Sequence, residues 1–150
     1  MIRQATLVDL AYVIANAREE DLRSIRAFIG DQNLEMFAIR RFEETLTRWA
    51  RVIDNLPVAV GGIAEPIKGV AHLWLICTDQ GWDRPKELYS FTQRLVKGIF
   101  DGTGFHRLQA QCLDSEGAVR LLEHLRFNFE GRMVCGGAHR EDLLSYGMVP

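Results

Sequence analysis

The sequence predicts one α/β domain built on a mixed, mostly antiparallel central sheet flanked by helices. The chain has 150 residues, 47% hydrophobic and 25% charged, which is typical of a single globular domain with a full core. Apolar spacing changes along the chain in the order strand, helices, three strands, helix, strand, helix, two strands. Val70 to Thr78 is apolar on both faces, as expected of a strand inside a covered sheet.

The first part of the chain is expected to be a short strand followed by helices. Ile2 to Ala5 is the strand candidate. Thr6 and Asp9 have the spacing of a capping box, in which a hydroxyl and a carboxylate each serve a free backbone N–H at a helix start. A charged break at 18–21 precedes a second helical stripe, which ends at Gly30.

Strand spacing replaces helical spacing in the middle of the chain. Leu34 to Phe42 is ambiguous, and Phe42 to Trp49 is predicted to be helical. Ala50 to Ile53 and Pro57 to Ile63 are predicted strands on either side of a turn. Another turn, at 65–69, leads into the strongest strand.

The last part alternates helices with strands. Residues 79–84 are predicted to be a loop, and Pro85 then suits the first turn of a helix. The buried stripe of that helix is expected at Leu88, Phe91, Leu95 and Ile99. His106 to Leu113 is a strand candidate, and Asp114 or Ser115 caps the next helix. The final strands are predicted at 127–135 and 142–148, so a parallel strand pair around one helix fits this order.

Charge argues against a nucleic-acid partner. The formal net charge is −2, whereas a phosphate-backbone binder needs a basic surface. A local basic patch around Arg40, Arg41, Arg48 and Arg51 is an open alternative, and a solvated helix face is the more common explanation.

The cysteines indicate a reducing compartment. Cys77, Cys112 and Cys135 are odd in number and each lies in a strand-like apolar run, so we expect buried thiols. No pair has metal-ligand spacing, and no metal is expected. The N-terminus has no apolar signal region, and no apolar run is long enough to cross a bilayer. We therefore expect a cytoplasmic protein that does not contact membranes.

The order of elements resembles that of the GNAT N-acetyltransferase superfamily over nearly the whole chain. Ile2 to Thr6 resembles its first strand and helix cap. Residues 114–127 resemble its penultimate block, which usually begins with Asn and ends in Gly-Phe. Asp114 stands in place of that Asn, and Arg126 in place of the Gly.

A narrower resemblance points to small GNAT-like proteins of tailed bacteriophages. It rests on three stretches, Ala17 to Ile25, Trp74 to Asp79, and Arg84 with Pro85. At least one member of that group is a virion protein. The resemblance implies a location in the host cytoplasm or the virion, with homo-oligomer or virion contacts as possible associations.

The GNAT resemblance implies a crevice where the central strand and the next parallel strand splay apart. The pantetheine arm of acetyl-CoA would bind there along the strand edge, on main-chain groups of Leu75, Ile76 and Cys77. Asp114 joins these cofactor-binding candidates because of its place in the penultimate block.

The cofactor's pyrophosphate would bind where the strand meets the next helix. The family uses a Gln/Arg-x-x-Gly-x-Gly/Ala loop, and this chain keeps Gly81 alone from that pattern. Trp82 and Arg84 are the other candidates, with Arg84 able to fork onto phosphate. Asp79 and Asp83 bring negative charge to the same loop.

Catalysis in this family needs a base for the amine and an acid for the leaving thiolate. His72 and Asp79 are the catalytic candidates, and Glu65 is a further base candidate. A histidine inside a sheet is more often structural, and an aspartate at a strand end is more often a turn residue. The family's Tyr acid falls on Leu122, or on neighbouring Leu121, and neither can donate a proton.

Three functions follow from these expectations. One is an acetyl-CoA-dependent N-acetyltransferase acting on a small-molecule or protein amine. The second is a catalytically inactive GNAT-derived protein with a binding or virion-assembly role. The third is a cytoplasmic binding module for another ligand in the same crevice.

Overall fold

The computed structural model describes residues 1–150 and has a single seven-stranded sheet with helices on both faces. The strands are β1 (Ile2–Gln4), β2 (Thr45–Ile53), β3 (Leu56–Ile67), β4 (Val70–Cys77), β5 (Arg107–Leu113), β6 (Asn128–Met133) and β7 (Leu143–Met148). The helices are α1 (Leu7–Ala15), α2 (Glu19–Ile29), α3 (Leu34–Glu44), α4 (Asp79–Trp82), α5 (Pro85–Val96) and α6 (Glu116–His124). No helix has the length and apolar character needed to cross a membrane.

The strand order is β1-β2-β3-β4-β5-β7-β6, and every neighbouring pair except β4–β5 is antiparallel. This confirms the predicted fold class. The parallel pair is joined by α5, because a parallel connection has to return across the sheet.

The strands of the parallel pair are joined only near their N-terminal ends. Val70 to His72 are in register with Arg107 to Gln109, and no pairing follows beyond His72. The later residues of β4 stay paired with β3 as far as Cys77, and β5 stays paired with β7 as far as Leu113. The two strands therefore separate over most of their length, as the resemblance implied.

Both faces of β4 are buried, which confirms the prediction from its apolar pattern. Ala71, Leu73 and Cys77 belong to a core shared with α5 and α6. Trp74 and Ile76 belong to a second core shared with α1, α2 and α3. Fully burying a large apolar side chain contributes roughly 1.5–3 kcal/mol, so β4 is anchored from both sides.

The first helix begins as the sequence predicts. Thr6 accepts a hydrogen bond from the Asp9 N–H at 3.2 Å, and the Asp9 carboxylate accepts one from the Thr6 N–H at 2.8 Å. Asp9 also pairs with Arg3 of β1, and hydrogen bonding to that guanidinium lowers the pKa of Asp9 to about 2. The capping box thus also ties α1 to the edge strand.

The predicted charged break at 18–21 lies at the start of α2. Arg18 is the N-cap residue, and Glu19, Glu20 and Asp21 form the first turn, where negative charge suits the helix dipole. Gly30 ends this helix with a φ of 63°, as predicted.

The helix predicted from Phe42 to Trp49 is wrong. Helix α3 ends at Glu44, and β2 begins at Thr45 and pairs with β3 on one side and, from Trp49 onward, with β1 on the other. Thr47 and Trp49 favour extended structure, and pairing between two strands outweighs the short helical pattern. Two smaller corrections concern α4, which lies in the predicted loop, and Ile99, which lies beyond the end of α5.

The side chains of the four arginines do not form the basic patch left open above. Arg40 is exposed and Arg41 faces a cavity. Arg48 lies 3.8 Å over the Phe42 ring, and Arg51 is buried beneath α4 with its Nη1 3.5 Å from the Gly81 carbonyl. The four arginines lie in different parts of the structure because a helix and a strand point their side chains in different directions.

The expectation of three buried thiols holds for two of them. Cys77 and Cys112 are buried, but Cys135 is exposed in the turn after β6. Strand β6 ends at Met133, so the apolar run extends past the ladder into a turn where Cys135 has a φ of 52°.

The backbone conformation at Arg126 explains why the family usually has glycine before its Phe. The residue has a φ of 68°, in the left-handed region that favours glycine, directly after α6. The bulk of Arg126 matters less than its backbone, because its side chain is exposed.

Gly61 and Gly62 lie where neighbouring strands and side chains approach β3. A Cβ on Gly62 would lie 2.5 Å from both the Thr45 Cγ2 atom and the Thr47 carbonyl oxygen. The register of β2 shifts between these two threonines. The irregularity of this ladder therefore lies in β2, close to Gly62.

We predict that Gly62→Ala lowers the free energy of unfolding by about 1–3 kcal/mol, because the methyl group overpacks the β2–β3 ladder. Urea denaturation followed by circular dichroism measures the change. Gly131→Ala in β6 is the matched control, since its Cβ would have no atom within 4 Å. Equal stability of the two variants would contradict the close approach at Gly62.

Candidate active site

The gap between β4 and β5 contains a cavity of about 140 Å³, here called the inner cavity. Its walls come from the separated strands, from α2 on one face and from α6 on the other. Its lining residues include Asp21, Ser24, Leu75, Trp82, Gln111, Cys112 and Leu121.

The edge of β4 offers main-chain groups to the inner cavity at Leu75. Cys77 points its N–H and C=O away from β3, since both bond to α2 and its N-cap residue. Main-chain groups two residues apart on a strand point the same way, so those of Leu75 face the cleft. Leu75 has no partner strand at this position, because the β4–β5 ladder ends at His72.

The C-terminal end of this β4 edge already forms hydrogen bonds with other residues of the protein. The Cys77 N–H donates to Oδ2 of Asp21 at 2.6 Å, and the Arg18 N–H donates to the Cys77 carbonyl at 3.0 Å. Ala17 forms an antiparallel bridge with Thr78 next to them. Residues 17–21 therefore occupy main-chain positions that a strand-like ligand would use.

Trp82 closes one side of the inner cavity. The Arg18 guanidinium lies 3.6 Å from the centre of its ring, and Arg18 also bonds Asp21 at 2.8 Å. The far edge of the ring reaches α6, where a Cβ on Gly117 would lie 2.7 Å from it. Burial raises the pKa of Asp21, although Arg18 and the Cys77 N–H oppose that shift.

A second cavity, the helix groove, lies outside Trp82 between α5 and α6. It has a volume of about 350 Å³, and its walls carry three basic side chains, from Lys86, Arg120 and His124. Trp82 and Leu121 line both the helix groove and the inner cavity. These two side chains therefore form the partition between the groove and the cleft.

Two further cavities lie on the α3 side of the cleft. The apolar cavity, about 180 Å³, is lined by Phe28, Phe37 and the middle of β4. The polar cavity, about 580 Å³, is lined mostly by charged and amide side chains near the N-terminal end of β4. Arg41, His72 and Gln111 line both, and Gln111 also lines the inner cavity.

His72 is a neutral imidazole in this setting. Burial, together with the positive charge of Arg41, lowers the pKa of His72 to about 4. A neutral ring can accept a proton at pH 7, but this pKa makes it a weak base. Glu65, the other base candidate near it, accepts a hydrogen bond from the Gly69 N–H at 3.0 Å.

Several predicted site residues lie outside the cavities described here. Asp79 is exposed at the start of α4, and Arg84 is exposed at the start of α5. Asp114 is exposed and pairs with Arg132 at 2.7 Å. Gly81 is buried against the Val58 carbonyl of β3, where a Cβ would collide, and so lies behind the cleft.

The remaining predicted residues lie in or beside the cleft. Leu75, Ile76 and Trp82 line the inner cavity, and the Cys77 side chain lies fully buried in the α5–α6 core. Burial raises the pKa of Cys77 well above its ordinary value, so that thiol stays protonated. Leu122, at the family's acid position, also lines the inner cavity.

Sequence reasoning missed the polar residues that α2 and β5 bring to the cleft, namely Asp21, Ser24 and Gln111. Asp21 belongs to the charged break at 18–21, and an acidic residue at the start of a helix is by itself an ordinary helix signal. Gln111 occupies an alternating position of a predicted strand, which did not show which cavity it would face.

Comparison with solved structures identifies the architecture as the GNAT fold. A GNAT-superfamily phosphinothricin acetyltransferase from Sinorhizobium meliloti, solved with acetyl-CoA, gives a TM-score of 0.78 at 16% identity over 99% of this chain and 87% of that one. A ribosomal-protein-alanine N-acetyltransferase from Brucella melitensis gives 0.76 at 15% identity over 100% and 99%. A GNAT-family acetyltransferase from Bacillus anthracis gives 0.74 at 14% identity over 99% and 93%.

At such identities the likeness concerns the fold alone. The chain matches no protein-family model and no curated protein sequence. The expectation of a GNAT fold is thus confirmed, and the narrower resemblance to bacteriophage proteins stays a prediction.

We predict that Arg41→Gln raises the pKa of His72, because it removes the positive charge that opposes protonation of the ring. The pKa should stay below 6.5, since burial is the larger cause of its shift and remains in the variant. An NMR titration of the imidazole C–H resonances, assigned with His72→Gln, measures it.

Arg40→Gln is the control, because it removes an exposed cation from the same helix. An unchanged His72 pKa in Arg41→Gln would place the guanidinium away from the ring.

Proposed function

We propose that the protein is an acyl-CoA-dependent N-acetyltransferase that acts on an amine. The observation that carries this proposal is the unpaired main chain of β4 at Leu75, facing a cleft that shares lining residues with the apolar cavity and is separated from the helix groove by Trp82 and Leu121. An extended amide-bearing ligand can pair with such an edge as an added strand.

The residues present fit acetyl-CoA at both ends of its arm. Leu75 offers an N–H and a C=O to the pantetheine amides, and the helix groove offers Lys86, Arg120 and His124 to the phosphates. Arg84 adds an exposed cation at the start of α5. When bound, the cofactor would supply a thioester as acetyl donor to the amine nitrogen, with its thiol as the leaving group and the proton lost by the amine as the proton that this thiol gains.

Side chains of the cleft can handle that proton. His72 is neutral and lines the apolar cavity on the α3 side of the cleft, where it can accept the proton of the amine. Cys112 lines the inner cavity, where burial raises its pKa to about 11, so its thiol keeps a proton that it can donate. Leu122 cannot take the acid role that the family gives to a tyrosine. Asp79 is exposed at the start of α4 and lines none of these cavities, so His72 is the better candidate for the base.

A second candidate is a binding or virion-assembly protein without catalysis. It is favoured by the hydrogen bonds of Cys77 to residues 18–21 and by the position of Trp82, which together cover the route from the helix groove to the cleft. A cofactor arm reaches Leu75 only after the Trp82 ring moves.

We predict that acetyl-CoA raises the melting temperature, because a ligand that binds only the folded state stabilises it. The double variant Lys86→Ala/Arg120→Ala should lose most of that shift, since each lost contact to phosphate removes about 1.5–3 kcal/mol of binding. A thermal-shift titration measures both. Arg40→Ala/Lys68→Ala is the charge-matched control, because both side chains are exposed and lie away from the groove.

No shift at saturating acetyl-CoA would reject the acetyltransferase proposal and leave the second candidate. A full shift in the double variant would show that the phosphates bind elsewhere.

We predict that Trp82→Ala joins the helix groove to the inner cavity. The variant should bind acetyl-CoA more tightly, relative to 3′,5′-ADP, which carries phosphates of the cofactor but lacks its pantetheine arm. Calorimetric titration with acetyl-CoA and with 3′,5′-ADP separates the two effects. The acetyl-CoA affinity should rise while that of 3′,5′-ADP stays constant. A fall in both affinities would mean that the ring supports the phosphate site.

A further inference from the structure

Arg41 is a half-buried cation without a partner. Its guanidinium forms no ion pair and donates no side-chain hydrogen bond, although it lies 5.6 Å from the Trp74 ring and 5.5 Å from the Phe37 ring. Burial lowers its pKa, and the charge of Glu44 partly opposes that effect. Arginine nevertheless stays protonated in proteins, so a positive charge remains at this place.

The donors of Arg41 point to space that a ligand can enter. Its side chain lines both the polar and the apolar cavity, and none of its nitrogens is sealed from solvent without a partner. An arginine with no protein acceptor keeps its five N–H donors for water or for a bound anion. Burying such a charge is costly unless an anion pairs with it.

The carboxylates near Arg41 leave that charge unpaired. Glu44 is exposed at the end of α3 and forms no ion pair. Glu65 is held at the β3–β4 turn by the Gly69 N–H and by Lys68, whose Nζ lies 4.0 Å away. The remaining polar residues of the polar cavity are His72, which is neutral, Gln109 and Gln111.

We propose that the acceptor is a small amine that also carries a carboxylate, and that Arg41 binds this carboxylate. The inference rests on the acetyltransferase function proposed above and names the substrate class of the same site. A planar guanidinium can hold a carboxylate through two parallel hydrogen bonds, which orients the ligand as well as attracting it.

The apolar cavity sets the orientation of such a molecule. It extends from Arg41 and His72 to Leu75, and its walls between them include Phe28 and Phe37. A carboxylate at Arg41 leaves the hydrocarbon part against these rings and sends the amine toward the open edge of β4. Gln111 and Ser24, which line both the apolar and the inner cavity, face the junction where that amine meets the cleft.

The size of the apolar cavity suits a short acceptor chain. The apolar cavity is about 180 Å³, enough for a short chain between an amine and a carboxylate. A series of unbranched ω-amino acids, from glycine to 5-aminopentanoate, therefore measures the span between Arg41 and the β4 edge.

Binding without cofactor gives the first test. Each ω-amino acid and its matching alkylamine are titrated into the protein, and the resonances of His72 and Gln111 are followed by NMR. At least one amino acid should bind roughly 10- to 100-fold more tightly than its alkylamine, as expected for a charge-assisted fork. Arg41→Gln should remove this preference, Arg41→Lys should restore part of it, and Arg40→Gln should leave it unchanged.

The fold of the variant is checked by its melting temperature. Arg41→Gln should unfold at or above the temperature of the unchanged protein, because it removes a charge that lacks a partner. Equal binding of amino acids and alkylamines, or an unchanged preference in Arg41→Gln, overturns the inference.

Acetyl transfer gives the second test. With acetyl-CoA present, the same amino acid should be acetylated with a KM that rises roughly 10- to 100-fold in Arg41→Gln and is unchanged in Arg40→Gln. Acetylation of alkylamines with equal efficiency overturns the inference and leaves the acetyltransferase proposal standing. Carboxylate binding at Arg41 without any acetyl-CoA binding rejects the acetyltransferase proposal and, with it, the identification of this anion as an acceptor.

Discussion

The separation of β4 from β5 after His72 is the constraint on which the site depends. Three register pairs hold the strands at one end, and beyond them each strand keeps only its antiparallel neighbour. Unpaired main-chain groups are costly unless water or a ligand serves them. Helix α2 lines one face of this gap and α6 the other, so the gap becomes a cleft with the Leu75 edge inside it.

The two sides of the cleft differ in charge and access. On the α5–α6 side, basic residues line a groove that Trp82 separates from the strands. On the α3 side, the neutral His72 and the unpaired Arg41 line cavities that run directly to β4. A molecule rich in phosphate suits the first side and a small anion the second. The edge of β4 is the place where both could meet.

Burial determines the protonation states of the cleft. It lowers the pKa of His72 to about 4 and raises that of Cys112 to about 11, so the imidazole stays neutral and the thiol protonated over a wider pH range than solvated groups would. Asp21 shows the opposing case, because Arg18 and a main-chain N–H partly offset the cost of burying its charge. A base and an acid are thereby available on different walls without any ion pair between them.

The sequence by itself determined the order of elements, the capping box of α1 and the two buried faces of β4, because these follow from local spacing and periodic burial. The GNAT fold was indicated by a family resemblance. The sequence pattern misjudged the start of β2, since pairing on both edges outweighs a short helical pattern. Only the tertiary structure decided that Asp21 bonds Cys77, that Gly81 turns away from the cleft and that Arg41 faces a cavity alone. These contacts join residues distant in the chain, and their geometry depends on how helices cross a sheet that is open in the middle.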